Sequence, residues 1–166
     1  QMCIRDSVST VPHPDREILI VGAGVSGIGM AWHLQNDLPD GAYYEILEMR
    51  DSVVGTWDLF RYPGIRSDSD LHTFGFAFKP WKSEQSIADG PEILSYLNEA
   101  ADEYGIRDHI RFNTKVTAAN FSNEDAIWTV ATVNTVTGEE STTTCRWLYS
   151  AAGYYRYDLS LIHISE

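Results

Sequence analysis

Two segments of this sequence combine residue types and spacings that suit chemistry. The first is glycine-rich, residues 22–27, and has the spacing G-x-G-x-x-G. Such a segment binds the pyrophosphate of a dinucleotide through backbone N–H groups, and an acid about 20 residues later, here Glu48, accepts hydrogen bonds from a ribose. The second is residues 55–70, which combine Trp, Tyr, Arg and Asp in a pattern too polar for a core strand. Because it lies shortly after Glu48, this polar stretch is expected beside the reactive ring of a bound cofactor.

Each glycine of the first segment has its own steric reason. Gly22 permits a tight turn out of a strand, and Gly24 lets the backbone approach a pyrophosphate. Gly27, with Ala31 one helical turn later, lets the following helix pack closely. A lone G-x-G-x-x-G is weak, because glycine-rich turns between a strand and a helix also occur for structural reasons alone. The surrounding elements favour the dinucleotide interpretation here.

The elements that position these residues are predicted from the hydrophobic pattern. Residues 17–21 form a short apolar run bounded by glycine, which is typical of a strand buried in a parallel sheet. A helix is predicted over 25–35 and a second strand over 43–48, which completes a strand–helix–strand unit. Further along, a helix is predicted from Asp89-Gly90-Pro91 to Gly105, and strands are predicted at 110–112, 116–121, 127–136 and 142–149. The predicted fold class is α/β: a Rossmann-like domain with a parallel sheet, flanking helices and a small antiparallel β-meander.

Composition excludes several function classes. The chain has 166 residues, 43% of them apolar, and a net charge of -12, which repels phosphate backbones and anionic lipid. We therefore expect no nucleic-acid partner. No apolar run is long enough for a membrane span and no signal peptide is recognisable, so a cytoplasmic location is expected. Cys3 and Cys145 have no ligand spacing, and no metal site is predicted.

The two ends of the sequence, residues 1–7 and 159–166, break from their neighbours and resemble translated sequencing adapters. They are expected to be non-native tails, although ordinary disordered termini are the alternative. The native portion is then about residues 8–158, and it is expected to be a piece of a longer protein.

The choice of dinucleotide depends on Glu48 and on the path of the chain after it. A carboxylate at this place repels a 2′-phosphate, so FAD or NAD is expected rather than NADP. Arg50, the nearest cation, is expected to point to solvent. After Glu48 the chain enters the polar stretch rather than a second helix, which favours FAD.

The motifs together resemble one family. Residues 22–27, Glu48, Gly55-Thr56-Trp57, Arg61-Tyr62-Pro63-Gly64, Asp68, Lys79-Pro80-Trp81 and Ala152-Gly153-Tyr154-Tyr155 are similar to the N-terminal FAD-binding part of class B flavin monooxygenases. The resemblance is strongest to Baeyer–Villiger monooxygenases of the ethionamide-activating type, and it covers residues 17–158. Two positions depart from the family: Val54 replaces a glycine, and Ala152 stands where Thr or Ser is common.

The resemblance implies roles for particular residues. Those predicted to bind FAD are Gly22, Gly24, Val25, Ser26 and Gly27 at the pyrophosphate, Glu48 at the ribose, Gly55, Thr56 and Trp57 along the flavin, Val116 at the adenine and Gly153 over the cofactor. Asp68, beside the flavin ring, is the one predicted catalytic residue, because an acid there helps to set a catalytic arginine in the family.

The implied reaction is NADPH-dependent transfer of one oxygen atom from O2 to a ketone, or to a sulfur or nitrogen atom such as that of a thioether or thioamide. The sequence contains no second glycine signature for NADPH, no family linker motif and no assignable catalytic arginine. The chain alone is therefore expected to be inactive. A non-catalytic FAD-binding module and an NAD-dependent dehydrogenase or flavin reductase remain the alternatives, and the sequence predicts no oligomeric state.

Overall fold

The structure is a computed structural model that describes residues 13–38 and 43–153. Six strands form one mixed sheet in the order β3-β2-β1-β6-β5-β4. The strands are β1 Arg16–Val21, β2 Tyr44–Leu47, β3 Ile110–Arg111, β4 Thr114–Ser122, β5 Ile127–Asn134 and β6 Glu140–Ser150. The helices are α1 Val25–Asn36, α2 Thr56–Leu59, α3 Leu71–Phe74 and α4 Gly90–Glu103, with a 3₁₀ turn after them at Ile106–His109. The predicted α/β fold class is confirmed.

Strand β6 joins the parallel and antiparallel parts of the sheet. Its first half pairs antiparallel with β5 up to Cys145, which lies opposite Trp128. Its second half runs parallel to β1, with Leu148 opposite Leu19. The predicted antiparallel meander is therefore present, but it is continuous with the parallel sheet rather than a separate layer.

The alternation of β1 divides the core between the two faces of the sheet. Ile18 and Ile20 pack on the face covered by α1 and α4, where Ile28 and Leu97 are fully buried. Leu19 faces the other way, into a smaller cluster with Leu47, Val130 and Cys145. Each fully buried aliphatic side chain contributes about 1.5–3 kcal/mol, so the larger cluster anchors α1 directly behind the glycine-rich turn.

Helix α4 has defined ends that its sequence explains. The N–H of Asp89 donates to the Glu92 carboxylate at 3.2 Å, and Pro91 occupies the first turn, where its missing N–H is not needed. The helix ends before Gly105, which adopts a left-handed φ of 64°.

The second half of β6 is an exposed edge. Beyond Cys145, β6 pairs only with β1 among the described strands. Trp147 is 65% exposed and Tyr149 38% exposed on this half strand. An unpaired strand edge beside exposed aromatic rings is a surface on which other chain segments associate readily.

Candidate dinucleotide-binding site

Two glycines of the 22–27 segment are required by the backbone itself. Gly22 has a φ of 101°, and a Cβ added there would lie 2.6 Å from the Ala151 carbonyl oxygen. A Cβ on Gly27 would lie 2.0 Å from the Gly22 carbonyl oxygen. The tight turn predicted at Gly22 and the close packing predicted at Gly27 are confirmed. At Gly22 the residues after β6 lie against the turn after β1.

Gly24 differs from Gly22 and Gly27, because neither its backbone conformation nor its surroundings require a glycine. Its φ of -80° is open to any residue, and a Cβ there would meet nothing within 4 Å. Gly24 is the N-cap of α1; no side chain caps this helix end, and no acid lies in its first turn. The first N–H groups of a helix have no intrahelical acceptor, so this helix end suits an anion.

The Glu48 carboxylate lies beside the glycine-rich turn. Glu48 is only 5% exposed; its Oε2 accepts from the Ala23 N–H at 2.8 Å and its Oε1 from the Arg50 N–H at 3.0 Å. The Glu48 backbone is also fixed, since its carbonyl accepts from the Thr114 N–H at 2.8 Å. A carboxylate oxygen has two acceptor sites, so each oxygen can take one further hydroxyl donor. The contribution of the Ala23 N–H was not predicted, because the glycine spacing draws attention only to the glycines.

The start of the polar stretch packs against the same turn. The Val54 N–H donates to the Ala23 carbonyl at 2.9 Å, and a Cβ on Gly55 would lie 3.8 Å from the Gly24 Cα. Thr56 and Trp57 are the first residues of α2, directly after Gly55. The glycine-rich turn, Glu48 and Gly55 therefore meet at the carboxyl ends of β1 and β2, where open α/β sheets bind ligands.

Val54 stands where the resembled family has a glycine, and its backbone has a conformation that is typical of glycine. It has a φ of 87°, a left-handed conformation that β-branched residues avoid, and it is 1% exposed. Such strain costs about 1–3 kcal/mol and persists only where the surroundings hold the chain in place.

The prediction that Arg50 points to solvent is wrong. Its Nη2 donates to Asp58 Oδ2 at 2.6 Å and its Nη1 to the Gly55 carbonyl at 3.2 Å. Ser52 Oγ donates to the same Oδ2 at 2.6 Å, and Arg61 Nη2 to Oδ1 at 3.1 Å. Burial opposes ionisation of Asp58, but the Ser52 hydroxyl and the Arg50 charge together hold the pKa of its carboxyl below the ordinary value.

Arg66 differs from Arg50 and Arg61 in its contacts. In the part of the chain that the structure describes it pairs with no carboxylate, and its backbone forms an isolated β-bridge with Asp89. Arg50 and Arg61 therefore both pair with Asp58, whereas Arg66 is exposed.

The remaining predicted site residues, Asp68, Val116 and Gly153, come from three other parts of the chain. Asp68 is exposed and comes directly after Ser67, whose N–H donates to the Ala88 carbonyl at 2.9 Å. Within the described ranges no hydrogen bond or ion pair joins Asp68 to the glycine-rich turn. Val116 lies in β4 at a register irregularity and packs on the smaller core cluster. Gly153 lies after β6 with a φ of 75°, just beyond the Ala151 N–H that donates to the Val21 carbonyl at 2.8 Å.

Other kinds of site find no support in the described residues. No described helix is long and apolar enough to cross a membrane. Within residues 13–38 and 43–153, no three His, Cys, Asp or Glu side chains are grouped to hold a metal ion.

The mixed sheet, its flanking helices and the glycine-rich turn define a Rossmann-like fold. Residues 20–86 match the family model of the NAD(P)-binding Rossmann-like domain. The chain is 54% identical over 142 residues to the FAD-containing monooxygenase EthA of Mycolicibacterium smegmatis. It is 48% identical over the same length to the probable FAD-binding monooxygenase AlmA of Acinetobacter baylyi. The resemblance to flavin monooxygenases is thereby confirmed, over 86% of this chain and 28% of each relative.

Solved structures agree with this relationship. The OTEMO complex with FAD and NADP (form 2) superposes with a TM-score of 0.75 at 36% identity, covering 91% of this chain and 28% of that one. The oxidized steroid monooxygenase bound to NADP superposes with a TM-score of 0.71 at 34% identity, covering 83% of this chain and 26% of that one. The chain thus corresponds to little more than a quarter of these relatives.

Proposed function

We propose that this chain is the FAD-binding portion of an NADPH-dependent flavin monooxygenase. One observation carries the proposal: no side chain caps the N-terminus of α1, which is sterically open at Gly24 and lies beside the buried Glu48 carboxylate. An open, donor-rich helix end and a neighbouring carboxylate match the two polar parts of an adenine dinucleotide. The 54% identity to an FAD-containing monooxygenase favours FAD as that dinucleotide.

Each proposed contact is made by this chain's own atoms. The N–H groups of Val25, Ser26 and Gly27 bind the pyrophosphate, while Gly24 leaves room for it. Glu48 accepts hydrogen bonds from the adenosine ribose with the acceptor sites that Ala23 and Arg50 leave free. Because the carboxylate is already held by two backbone donors, it is oriented before the cofactor binds, which lowers the entropy cost of binding.

The remaining assignments are proposed from the family resemblance. Gly55, Thr56 and Trp57 lie along the flavin, Val116 contacts the adenine, and Gly153 covers the cofactor. Asp68 is proposed as the acid that positions a catalytic arginine outside this sequence. Residues 8–158 are proposed as the native FAD-binding domain, and the cytoplasmic location stays a prediction.

For the whole enzyme we propose transfer of one oxygen atom from O2 to a small ketone, or to a sulfur or nitrogen atom of a thioether or thioamide. Bound FAD, reduced by NADPH, supplies the oxygen chemistry. This chain contributes binding and orientation of the cofactor. The sequence has no second glycine signature for NADPH, so we propose that the chain alone binds FAD without catalysing oxygen transfer.

Titration of the purified chain with FAD, and separately with NAD⁺, tests this proposal. We expect FAD to bind with a change in flavin fluorescence, and Glu48→Gln to weaken that binding. Glu45→Gln is the matched control, because Glu45 lies in β2, three residues before Glu48, and pairs with Arg16 and Arg111 instead. It should lower the melting temperature while leaving FAD affinity unchanged. Binding of NAD⁺ without FAD would refute the proposal in favour of a dehydrogenase.

A further inference from the structure

The Asp58 carboxylate is the centre of a polar network that no part of the proposed cofactor contact explains. Its side chain is 12% exposed and receives three side-chain donors, from Arg50, Ser52 and Arg61. Buried carboxylates are costly unless they are paired in this way. The network lies in the loop and short helix that come after Glu48.

Arg50 connects this network to Glu48 and to Gly55. Its backbone N–H holds Glu48 Oε1 at 3.0 Å, and its guanidinium spans the Gly55 carbonyl and Asp58 Oδ2. Its side chain is 25% exposed, against 77% for Arg61, so it is the better shielded of the two cations on Asp58. A planar guanidinium that bridges two acceptors fixes their relative positions, which an ammonium group cannot do in the same geometry.

We call the hydrogen bonds from the Arg50 guanidinium to the Gly55 carbonyl and to Asp58 the clamp. The turn that this clamp holds is strained. Val54 and Gly55 lie between Arg50 and Asp58 in the sequence, and both have positive φ, at 87° and 53°. A strained turn relaxes unless its flanks are fixed. Asp58 lies one helical position beyond Trp57, so the clamp fixes the entry of α2 and, with it, Thr56 and Trp57.

We propose that Arg50 and Asp58 are positioning residues that set the affinity for the flavin half of FAD. The inference rests on the proposed function. Along the site, Glu48 binds the ribose, the turn at Gly24 binds the pyrophosphate, and Gly55 lies at the flavin. The side chains of Arg50 and Asp58 hold only the last of these three. Loss of the clamp then releases Gly55–Trp57 while Glu48 and the glycine-rich turn keep their backbone hydrogen bonds.

Two ligands separate this role from a general effect on folding. FAD reports both halves of the site, and ADP reports only the adenosine and pyrophosphate half. In Asp58→Asn and in Arg50→Gln we expect the dissociation constant for FAD to rise about tenfold, as expected for loss of one charge-assisted hydrogen bond. The constant for ADP should stay within about twofold. The double variant should bind FAD no more weakly than Arg50→Gln alone, because Arg50→Gln already removes the ion pair that Asp58→Asn breaks.

Arg61→Gln is the matched control: it removes a cation from the same carboxylate but leaves Arg50 in place, and FAD affinity should be unchanged. If Asp58→Asn does not fold, Ser52→Ala removes one hydrogen bond to Oδ2 and keeps the ion pair, and a roughly threefold rise for FAD alone is expected. The proposed role would be overturned if Asp58→Asn and Arg50→Gln weakened FAD and ADP binding equally. It would also be overturned if Asp58→Asn, Arg50→Gln and Ser52→Ala all left FAD affinity unchanged. Wild-type chain that binds neither ligand would instead overturn the proposed function itself.

Discussion

Gly24→Ala separates a binding role of the glycine-rich turn from a structural one. In the structure a Cβ at Gly24 meets nothing within 4 Å, and the φ of -80° suits alanine. Alanine is a poorer N-cap than glycine, which destabilises the fold by several tenths of a kcal/mol. Alanine also lowers the conformational entropy of the unfolded chain, which stabilises the fold by about 0.4–1 kcal/mol. The free energy of unfolding of the apo-protein should therefore change by less than about 1 kcal/mol.

The effect on FAD should be much larger. A methyl group at Gly24 occupies the space proposed for the pyrophosphate, which must then move away from the helix N–H groups. Loss of two charge-assisted hydrogen bonds, at about 1.5–3 kcal/mol each, weakens binding by at least about 100-fold. The assay is a fluorescence titration with FAD, paired with thermal unfolding of the apo-protein.

The comparison variant is Gly27→Ala, whose Cβ would lie 2.0 Å from the Gly22 carbonyl oxygen. It should lose the fold as well as FAD. If Gly24→Ala binds FAD as tightly as the wild type, the pyrophosphate does not lie at Gly24. If it unfolds as readily as Gly27→Ala, the glycine is there for the fold, and the steric reasoning is refuted.

Three single residues give further predictions. Because Val54 has a φ of 87°, Val54→Gly should be more stable than Val54→Ala by about 1 kcal/mol in chemical unfolding, and the usual order with alanine more stable would show that Val54 is unstrained. Burial raises the pKa of the Cys145 thiol to about 11, so this thiol stays protonated in the folded state while it ionises in the unfolded one. Stability should therefore fall as pH rises from about 9 to about 11, and a Cys145→Ala variant with the same slope would contradict this. Trp147→Thr should reduce concentration-dependent light scattering and change the free energy of unfolding by less than about 0.5 kcal/mol, since Trp147 is 65% exposed; unchanged scattering would show that this edge does not associate.

The local elements are predicted well from the sequence, because their signals are local. The strand at 17–21 and the helix at 25–35 are found at Arg16–Val21 and Val25–Asn36, and α4 starts at its predicted Asp89-Gly90-Pro91 signal. The double pairing of β6 was not predicted, because periodicity identifies a strand but not its partners.

The site is predicted less completely, for a physical reason. The steric roles of Gly22 and Gly27 are set by a fixed spacing and agree with the structure. The pairing of Arg50 with Asp58 crosses an irregular loop, where eight residues of separation correspond to no regular distance, so the expectation of a solvent-facing Arg50 was wrong. The backbone N–H of Ala23 was not predicted because a main-chain donor leaves no trace in residue type.

The central claim is that the Gly22–Gly27 turn and Glu48 hold the adenosine and pyrophosphate of FAD. A crystal structure of the chain with FAD tests it most directly. The account predicts pyrophosphate oxygens within hydrogen-bond distance of the N–H groups at the start of α1, and ribose hydroxyls on the Glu48 carboxylate. A cofactor whose pyrophosphate lies away from Gly24, with Glu48 bound only to Ala23 and Arg50, would contradict it.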